Sequence, residues 1–380
     1  MSNKQLTIQL DKARAELFFY DNGTAARESH VMIHATNYGA PYQEQLNAVL
    51  DAFAALREEH LEGYISIFKR YYLSDAANQA AMVFASECTD CALSVIEQSP
   101  LDGSKVALWV YMMTDVQTSV KEHGLYEVKH GKYRHLWNAS AFNMAANSEY
   151  QTRLLFNEYI VQLAKEDCTL ADNCIRTWFY VNSIDLNYGG VVRARNQVFF
   201  TQGLTNQTHF IASTGIGGRQ ADPNVLVQMD NYAIHGIDKS QIHYLYAPTH
   251  LNRTSDYGVS FERGTYIDYG DRRHVFISGT ASIDNKGNVK YPGDIVRQAG
   301  RMLENIEVLL AEAECGWEDV GQMSVYLRDI ADYGIVSRLF AEKFPDKPYV
   351  ITLAPVCRPG WLIETECMAV KTINTDNAAF

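Results

Sequence analysis

The sequence predicts a mixed α/β fold made of three tandem units, and three observations support this. The 380-residue chain is 47% hydrophobic, which is enough for a large core. Residues 273–370 alternate strand-length apolar runs with helices in the order β-(β)-α-β-α-β-β. The same order returns in the middle of the chain and, less distinctly, in its N-terminal third. Such internal repetition indicates a repeat architecture.

The C-terminal unit has the clearest elements. Its first strand, residues 273–283, is apolar and is followed by a turn sequence at 284–288. A helix is predicted over residues 295–314, because apolar side chains recur near i, i+3, i+4 and i+7, and Gly316 suits the position just past its end. The later elements are a strand at 321–327, a helix at 333–344 and strands at 349–353 and 362–370.

The other two thirds repeat this order. The middle elements are a strand at 133–142, a helix at 150–165, a strand at 173–181, a helix at 190–203 and strands at 211–217 and 225–233. The N-terminal copy has a short opening strand at 31–33, helices at 42–60 and 75–87, and strands at 64–70, 92–97 and 105–113. We therefore predict a degenerate N-terminal unit at 1–122, a middle unit at 123–245 and a C-terminal unit at 246–380 with the main catalytic strand.

The strand-helix-strand order also predicts how the units assemble. It places helices on one face of a mixed sheet, with right-handed crossovers. The other face of each sheet is apolar, so three such faces can close around a pseudo-threefold axis with the helices outside. Ligand sites are then expected in the clefts between units, where pockets usually form.

Charge and cysteine content narrow the functional class. The formal net charge is −12, which disfavours binding to nucleic acid. The N-terminal sequence has no signal-peptide pattern, and the longest apolar runs have the length of strands, so no membrane segment is predicted. The seven cysteines are scattered, and the single C-x-x-C at Cys88 and Cys91 lacks a second pair for a zinc site. We expect a cytoplasmic protein.

The last predicted strand carries two candidate acids. Glu364 and Glu366 are two residues apart, so both point to the face expected at the unit interface. Burial and a neighbouring like charge raise the pKa of a carboxyl group, which is how a glutamate becomes a general acid near neutral pH. A solvated edge strand would give the same pattern. Cys357 and Arg358 precede this strand; Cys357 as a nucleophile needs a base that the sequence does not name.

Several arginines lie beside glycines or aromatic residues and are candidates for binding an anion. They are Arg195, Arg219 after the glycine-rich loop at 214–218, Arg263 and Arg358. A guanidinium group can bind a carboxylate through two hydrogen bonds. The loop at 214–218 is not a P-loop, because no Lys-Ser/Thr follows it. Any one of these arginines can equally form a surface ion pair.

Residues 277–283, Asn305, 325–328 and 363–366 resemble the Rid/YjgF family over about residues 265–372. A second, more specific resemblance covers about residues 130–372. Its motifs, in order, are 176–178, Arg195, 212–217, 257–263 and 278–283. This series is similar to the chorismatase family, whose members are fused Rid-like repeats. The resemblance implies cleavage of chorismate, a small anionic substrate, to pyruvate and a hydroxybenzoate or dihydroxycyclohexadiene carboxylate, without metal or organic cofactor.

The resemblance also implies roles for individual residues. Glu366 becomes the expected general acid, and Cys357 is kept as a second catalytic candidate that also lines the ring pocket with Gly279. The expected carboxylate-binding residues are Arg263, Arg195, Arg219 and Arg358. Tyr257 and Tyr188 are expected to orient the ring hydroxyl groups.

Two alternative functions remain at this level. One is an enamine/imine deaminase of the plain Rid type, which needs only one carboxylate-binding arginine. The other is a non-catalytic protein that binds a metabolite and regulates a partner. The ring product (3-hydroxybenzoate, 4-hydroxybenzoate or the dihydroxycyclohexadiene acid) stays open, and so does the choice between a monomeric pseudo-trimer and a homo-oligomer.

Overall fold

The structure, a computed structural model, describes residues 3–87 and 90–380, and its strands form three sheets. The first sheet contains the strands of the N-terminal unit, which also has two helices. These elements are β1 (Lys4–Leu10), β2 (Ala13–Tyr20), β3 (Glu28–Ala35), α1 (Tyr42–Glu59), β4 (Ile65–Leu73), α2 (Ala76–Ser86), β5 (Ala92–Glu97), β6 (Ser99–Pro100) and β7 (Val106–Met113). The strand order is β1-β2-β3-β7-β4-β5, and β6 instead joins the third sheet.

The second and third sheets belong to the middle and C-terminal units. The middle elements are β8 (Gln117–Val120), β9 (Tyr126–His130), β10 (Tyr133–Phe142), α3 (Ser148–Ala164), α4 (Leu170–Asn173), β11 (Cys174–Val181), α5 (Ile184–Thr201), β12 (Ala212–Gly217) and β13 (Val227–His235). The C-terminal elements are β14 (Ile242–Leu245), β15 (Gly264–Asp268), β16 (Arg272–Ala281), α6 (Ile295–Glu312), β17 (Val320–Leu327), α7 (Tyr333–Lys343), β18 (Tyr349–Leu353) and β19 (Ile363–Thr372). Short 3-10 helices lie at Lys239–Gln241, Thr254–Tyr257, Trp317–Asp319 and Ile330–Asp332.

The three sheets share one topology. When the strands of a unit are numbered along the chain from one to six, leaving out β6, their order across the sheet is 1-2-3-6-4-5 in all three sheets. The fourth and fifth strands pair in parallel (β4 with β5, β11 with β12, β17 with β18), and the sixth strand pairs antiparallel to the third and the fourth. This repetition confirms the predicted fold class of three tandem α/β units.

A common core joins the inner faces of the three sheets. It contains Trp109 of the first unit, Trp137 and Trp178 of the second, and Phe276 and Met368 of the third, all buried. Separate clusters lie between each of the first two sheets and its own helices. The helices therefore pack outside the sheets, as predicted for a pseudo-trimer.

Some predicted elements differ from the structure. The N-terminal unit is not degenerate in topology, because it has the complete set of strands, including β1 and β2, which were not predicted. The helix predicted at 190–203 in the middle unit, α5, begins earlier, at Ile184, so Gly189 and Gly190 lie inside it. Gly190 is required there, because a Cβ atom would overlap Ser148 at the start of α3. β8 belongs to the second sheet and β14 to the third. We therefore propose unit boundaries within 114–116 and 236–241, earlier than the predicted boundaries at 122/123 and 245/246.

Among the described residues, no helix is both long and apolar enough to cross a membrane.

Candidate active site

A cavity lies at the junction between the middle and C-terminal units. The space within it, including open solvent at its mouth, is about 490 Å³. The middle unit contributes residues of α5 and β12, and the C-terminal unit contributes residues of β16, β19 and the loops that precede β15 and β19. The lining residues are Tyr188, Arg195, Ser213, Gly215, Val259, Phe261, Arg263, Gly279, Ala281, Ile283, Cys357, Arg358, Trp361 and Glu364. A site in a cleft between units is what the sequence predicted.

Glu364 is the carboxyl group of this cavity. It lies near the start of β19, opposite Ala281 of β16 and Tyr326 of β17, and only 4% of the residue is exposed. Burial, reinforced by the negative charge of Glu366, raises the pKa of Glu364 to about 8, although Arg263 and Arg176 act in the opposite direction. Glu364 is therefore protonated at neutral pH and is able to donate a proton.

Gly279 provides the space for this carboxyl group. A Cβ atom at position 279 would overlap Oε1 of Glu364 and crowd the Thr214 methyl group. The backbone N–H of Gly279 donates a hydrogen bond of 2.9 Å to Thr214 Oγ1 across the unit junction. The register between β16 and β19 shifts between Ile277 and Thr280, so Gly279 sits in the irregularity that shapes this wall.

Three arginines bring positive charge to the cavity. Arg195 of α5 is 1% exposed, and its Nε and Nη2 atoms have no hydrogen-bond partner within the described part of the chain. Arg263 is 4% exposed, and its guanidinium group donates to the backbone and side-chain oxygens of Asn252 at 3.1–3.2 Å. Both guanidinium groups lie over the Phe261 ring, 5.7 and 5.5 Å from its centre. Arg358 lies 5.2 Å over Trp361. The cavity thus suits an anionic ligand with an apolar body.

Cys357 lines the cavity as a neutral thiol. Burial, with the nearby charge of Glu364, raises the pKa of Cys357 to about 12. A nucleophilic cysteine requires the thiolate, and no histidine is among the residues that line the cavity. We therefore propose that Cys357 forms part of the cavity wall; its predicted catalytic role stays a prediction. Tyr188 fits against the same wall, where a Cβ atom at Gly215 would overlap its ring.

Glu366, the predicted general acid, lies beneath the cavity and is not one of its lining residues. Its Oε1 accepts a 2.9 Å hydrogen bond from Trp178 Nε1, and its Oε2 forms a 2.6 Å ion pair with Arg176 Nη2. Arg70 of the first unit lies 3.8 Å from Oε1. Both oxygens are occupied by donors, so we propose Glu364 as the acid in place of Glu366, whose predicted role stays a prediction.

Another predicted residue, Arg219, does not line the cavity. Arg219 forms a 2.6 Å ion pair with Glu97, and its side chain is 46% exposed beside a different cleft. Its predicted role in binding the substrate would require a site outside this cavity. Tyr257 ends the 3-10 helix Thr254–Tyr257, and its side chain lies outside the described residues. Arg263, Arg195, Arg358, Tyr188 and Gly279 do line the cavity.

Comparisons with known proteins bear on the C-terminal unit first. The family model described as Endoribonuclease L-PSP matches residues 263–371. A RutC family protein of Pyrococcus abyssi is 32% identical over 99 residues, which are 26% of this chain and 78% of the relative. The 3-aminoacrylate deaminase RutC of Acinetobacter baylyi is 33% identical over 98 residues, covering 25% of this chain and 77% of the relative. The chain belongs to the RutC family.

A solved structure extends the likeness beyond the RutC-family region. The crystal structure of a chorismatase superposes with a TM-score of 0.61 at 18% identity, covering 80% of this chain and 93% of the other. At that identity the likeness shows a shared fold. It includes much more of the chain than the RutC-family region, in agreement with the three tandem units.

The three units do not provide three equal sites. In the C-terminal unit, Glu364 lies opposite Tyr326 of the fourth strand. The tyrosines at the corresponding position of the fourth strand in the middle and N-terminal units are Tyr180 and Tyr72. They lie opposite Gln228 and Ala107. At the junction between the first two units, Gln228 donates hydrogen bonds to Val95 O and Ser140 Oγ. Only the position of Glu364 carries an acid among these three.

The sequence alone did not assign roles to Phe261, Trp361, Arg176 and Trp178. Aromatic residues beside arginines are a usable signal for the first two, because guanidinium groups stack on aromatic rings. Arg176 and Trp178 alternate on β11, so they share a face, but the sequence does not reveal that this face meets Glu366 of another unit.

Proposed function

We propose that this protein cleaves the enolpyruvyl ether of chorismate, with release of pyruvate and a hydroxybenzoate or a dihydroxycyclohexadiene carboxylate. The observation that carries the proposal is Glu364, a buried carboxyl group whose pKa is raised to about 8 in a cavity with three arginines. The fold shared with a chorismatase over 80% of the chain supports it.

In the proposed reaction Glu364 donates its proton to the terminal methylene of the enolpyruvyl group. The ether carbon then becomes positively charged, and the Glu364 carboxylate formed in this step stabilises it. Water, or the neighbouring ring hydroxyl, adds its oxygen to that carbon and returns a proton to Glu364. The hemiketal formed with water breaks its bond to the ring oxygen and passes its hydroxyl proton to that oxygen, which gives pyruvate and the dihydroxycyclohexadiene carboxylate. The cyclic ketal formed with the ring hydroxyl breaks one ring carbon–oxygen bond, whose oxygen becomes the keto oxygen of pyruvate. It also breaks its bond to the other ring oxygen, which takes the proton that the ring loses when it becomes the hydroxybenzoate. In both cases Glu364 ends protonated, as it began.

The arginines account for the two carboxylates of the substrate. Arg195 has two buried donors with no partner in the described chain, so a carboxylate in the cavity would satisfy both. Arg358 and Arg263 lie on the C-terminal side of the cavity, and Arg263 is fixed by Asn252. Phe261, Val259 and Trp361 supply the apolar surface for the ring. A substrate with a single carboxylate would leave part of this positive charge unused.

The proposal is tested with purified protein and chorismate. Pyruvate is followed through lactate dehydrogenase, and the ring product is identified by chromatography. We expect one pyruvate for each ring product. Hydrolysis of 2-aminoacrylate-type imines with chorismate left intact would instead establish the deaminase function named in a RutC relative. Binding of chorismate without turnover would indicate a regulatory protein.

A further inference from the structure

A second carboxylate lies directly beneath the proposed acid. Glu366 follows Glu364 by two residues on β19, so both side chains point to the same face of the sheet. Glu366 is 3% exposed, and the contacts of its two oxygens with Trp178 and Arg176 come from the middle unit. The negative charge of Glu366 is therefore fixed in place from across the unit junction.

The electrostatic surroundings of Glu364 come from several elements. Glu366 lies on the same strand, Arg176 is on β11, and Arg263 precedes β15. The other titratable groups that line the cavity are Tyr188 and Arg195 on α5, and Cys357 and Arg358 in the loop before β19. The cations in this set favour an ionised Glu364. Burial and Glu366 oppose them, and among the charges of Glu366, Arg263 and Arg176, that of Glu366 has the largest effect on the pKa of Glu364.

We propose that Glu366 is a positioning residue whose fixed negative charge keeps Glu364 protonated beside the cationic cavity. The inference rests on the function proposed above, in which Glu364 is the proton donor. Arg176 and Trp178 act by holding Glu366 against the floor of the cavity. This arrangement lets several arginines bind an anionic substrate without removing the proton that the reaction needs.

The fold supplies a matched control for this proposal. Asp230 of β13 pairs with Trp178, and Glu366 of β19 pairs with Ser324, which is the corresponding position. Asp230 is completely buried and forms a 3.0 Å ion pair with Arg70, a 2.6 Å hydrogen bond from Ser94 Oγ and a 2.7 Å bond from Ser140 N. The residue two positions before Asp230 is Gln228, so this carboxylate has no neighbouring acid on its strand face.

The test is a titration of Glu364 by difference infrared spectroscopy. The band of the protonated carboxyl group is assigned by its loss in Glu364→Gln. In Glu366→Gln we expect the midpoint of that band to fall by about one to two pH units, as for loss of a nearby charge at intermediate dielectric. Asp230→Asn leaves Arg70, which lies 3.8 Å from Glu366, without its ion-pair partner, and we expect a shift of the midpoint clearly smaller than in Glu366→Gln. An unmoved midpoint in Glu366→Gln, or equal shifts in both variants, overturns the proposal.

Two further variants allow the proposal to be tested even if Glu366→Gln does not fold. Glu366→Gln leaves Arg176 buried without its ion-pair partner, which destabilises a protein strongly. The double variant Arg176→Gln/Glu366→Gln removes the pair together, and we expect a smaller downward shift, because Glu366 has the larger effect on Glu364. Glu366→Asp keeps the charge and should restore a midpoint near that of the wild type. An upward shift in the double variant contradicts the proposal.

The pH profile of turnover links the inference to the proposed reaction. The alkaline limb of kcat/KM for chorismate should follow the infrared midpoint and move to lower pH in Glu366→Gln. If neither the wild-type protein nor any variant releases pyruvate from chorismate, the proposed function is wrong. The infrared titration is independent of turnover, so it still decides whether Glu366 keeps Glu364 protonated.

Discussion

Gly279 of β16 leaves the space that the Glu364 carboxyl group of β19 occupies, because any Cβ atom at position 279 would overlap Glu364 Oε1. The two residues lie on neighbouring strands of one sheet, and the register shift in β16 opens the gap between them. The position of the proposed acid therefore depends on a backbone feature and on the absence of a side chain.

Gly279→Ala should displace Glu364 and lower kcat by at least about tenfold, since small misplacement of a catalytic group is costly. The backbone at Gly279 has no positive φ, so the substitution acts through the overlap. Gly300→Ala is the control. Gly300 lies in α6 with open space around it, and alanine there should stabilise the fold by about 1 kcal/mol without changing turnover. Equal kcat for Gly279→Ala and the wild type would show that Glu364 is not held by this gap.

Arg195→Gln should separate activity from stability. Losing a charged hydrogen-bonding group that binds the substrate should reduce kcat/KM by about 10- to 100-fold. The free energy of unfolding should stay the same or increase, because the buried Arg195 has donors that lack partners in the described chain. Arg219→Gln, at an exposed ion pair with Glu97, should leave kcat/KM unchanged. Loss of both activity and stability in Arg195→Gln would indicate a structural arginine.

Cys357→Ser should keep pyruvate release within about threefold of the wild type, because a thiol whose pKa is raised to about 12 is not a thiolate nucleophile at neutral pH. The variant also tests whether Cys357 forms part of the cavity wall. If it does, the ratio of ring products can change while the rate of pyruvate release stays close to that of the wild type. Steady-state rates and product chromatography give both readouts. A loss of activity of 100-fold or more would restore Cys357 as a catalytic residue.

The raised pKa of Glu364 also predicts how stability depends on pH. Between the ordinary glutamate pKa and about 8, the native state keeps a proton on Glu364 that the unfolded chain releases. The free energy of unfolding therefore loses this contribution as the pH rises through that window. Glu364→Gln removes the dependence, so its stability relative to the wild type should increase from pH 5 to pH 8.5. Denaturant unfolding at both pH values measures this, and a constant difference would contradict a raised pKa.

The fold was predictable because the periodicity of the long helices and central strands is strong. Apart from the two-residue β6, the strands that were missed are the first two of each unit, which lie together at one end of each sheet. β1 is only partly buried along its length, so it lacks the alternation that marks a half-buried strand. β14 is likewise partly buried except at Leu245. The early start of α5 was missed because Gly189 and Gly190 normally disfavour a helix, and here packing against α3 outweighs that propensity.

The sequence predicted most of the residues near the candidate site, but not which of them reach the cavity. Alternation along β19 placed Glu364 and Glu366 on one face, as found. It does not reveal which of them reaches the cavity, because that depends on Arg176 and Trp178 from another unit. For the same reason Arg219 and Arg195 look alike in sequence, and only the structure separates an exposed ion pair from a buried guanidinium group at the cavity.

The most direct test of the account is pyruvate release from chorismate by Glu364→Gln, measured beside Glu262→Gln. Glu262 is also buried, but its carboxylate accepts a hydrogen bond from Phe210 N and it does not line the cavity. We predict that Glu364→Gln loses about 10²- to 10⁴-fold in kcat, the range for removing a general acid, while Glu262→Gln stays within a few-fold of the wild type. Undiminished pyruvate release by Glu364→Gln would contradict the assignment of the acid.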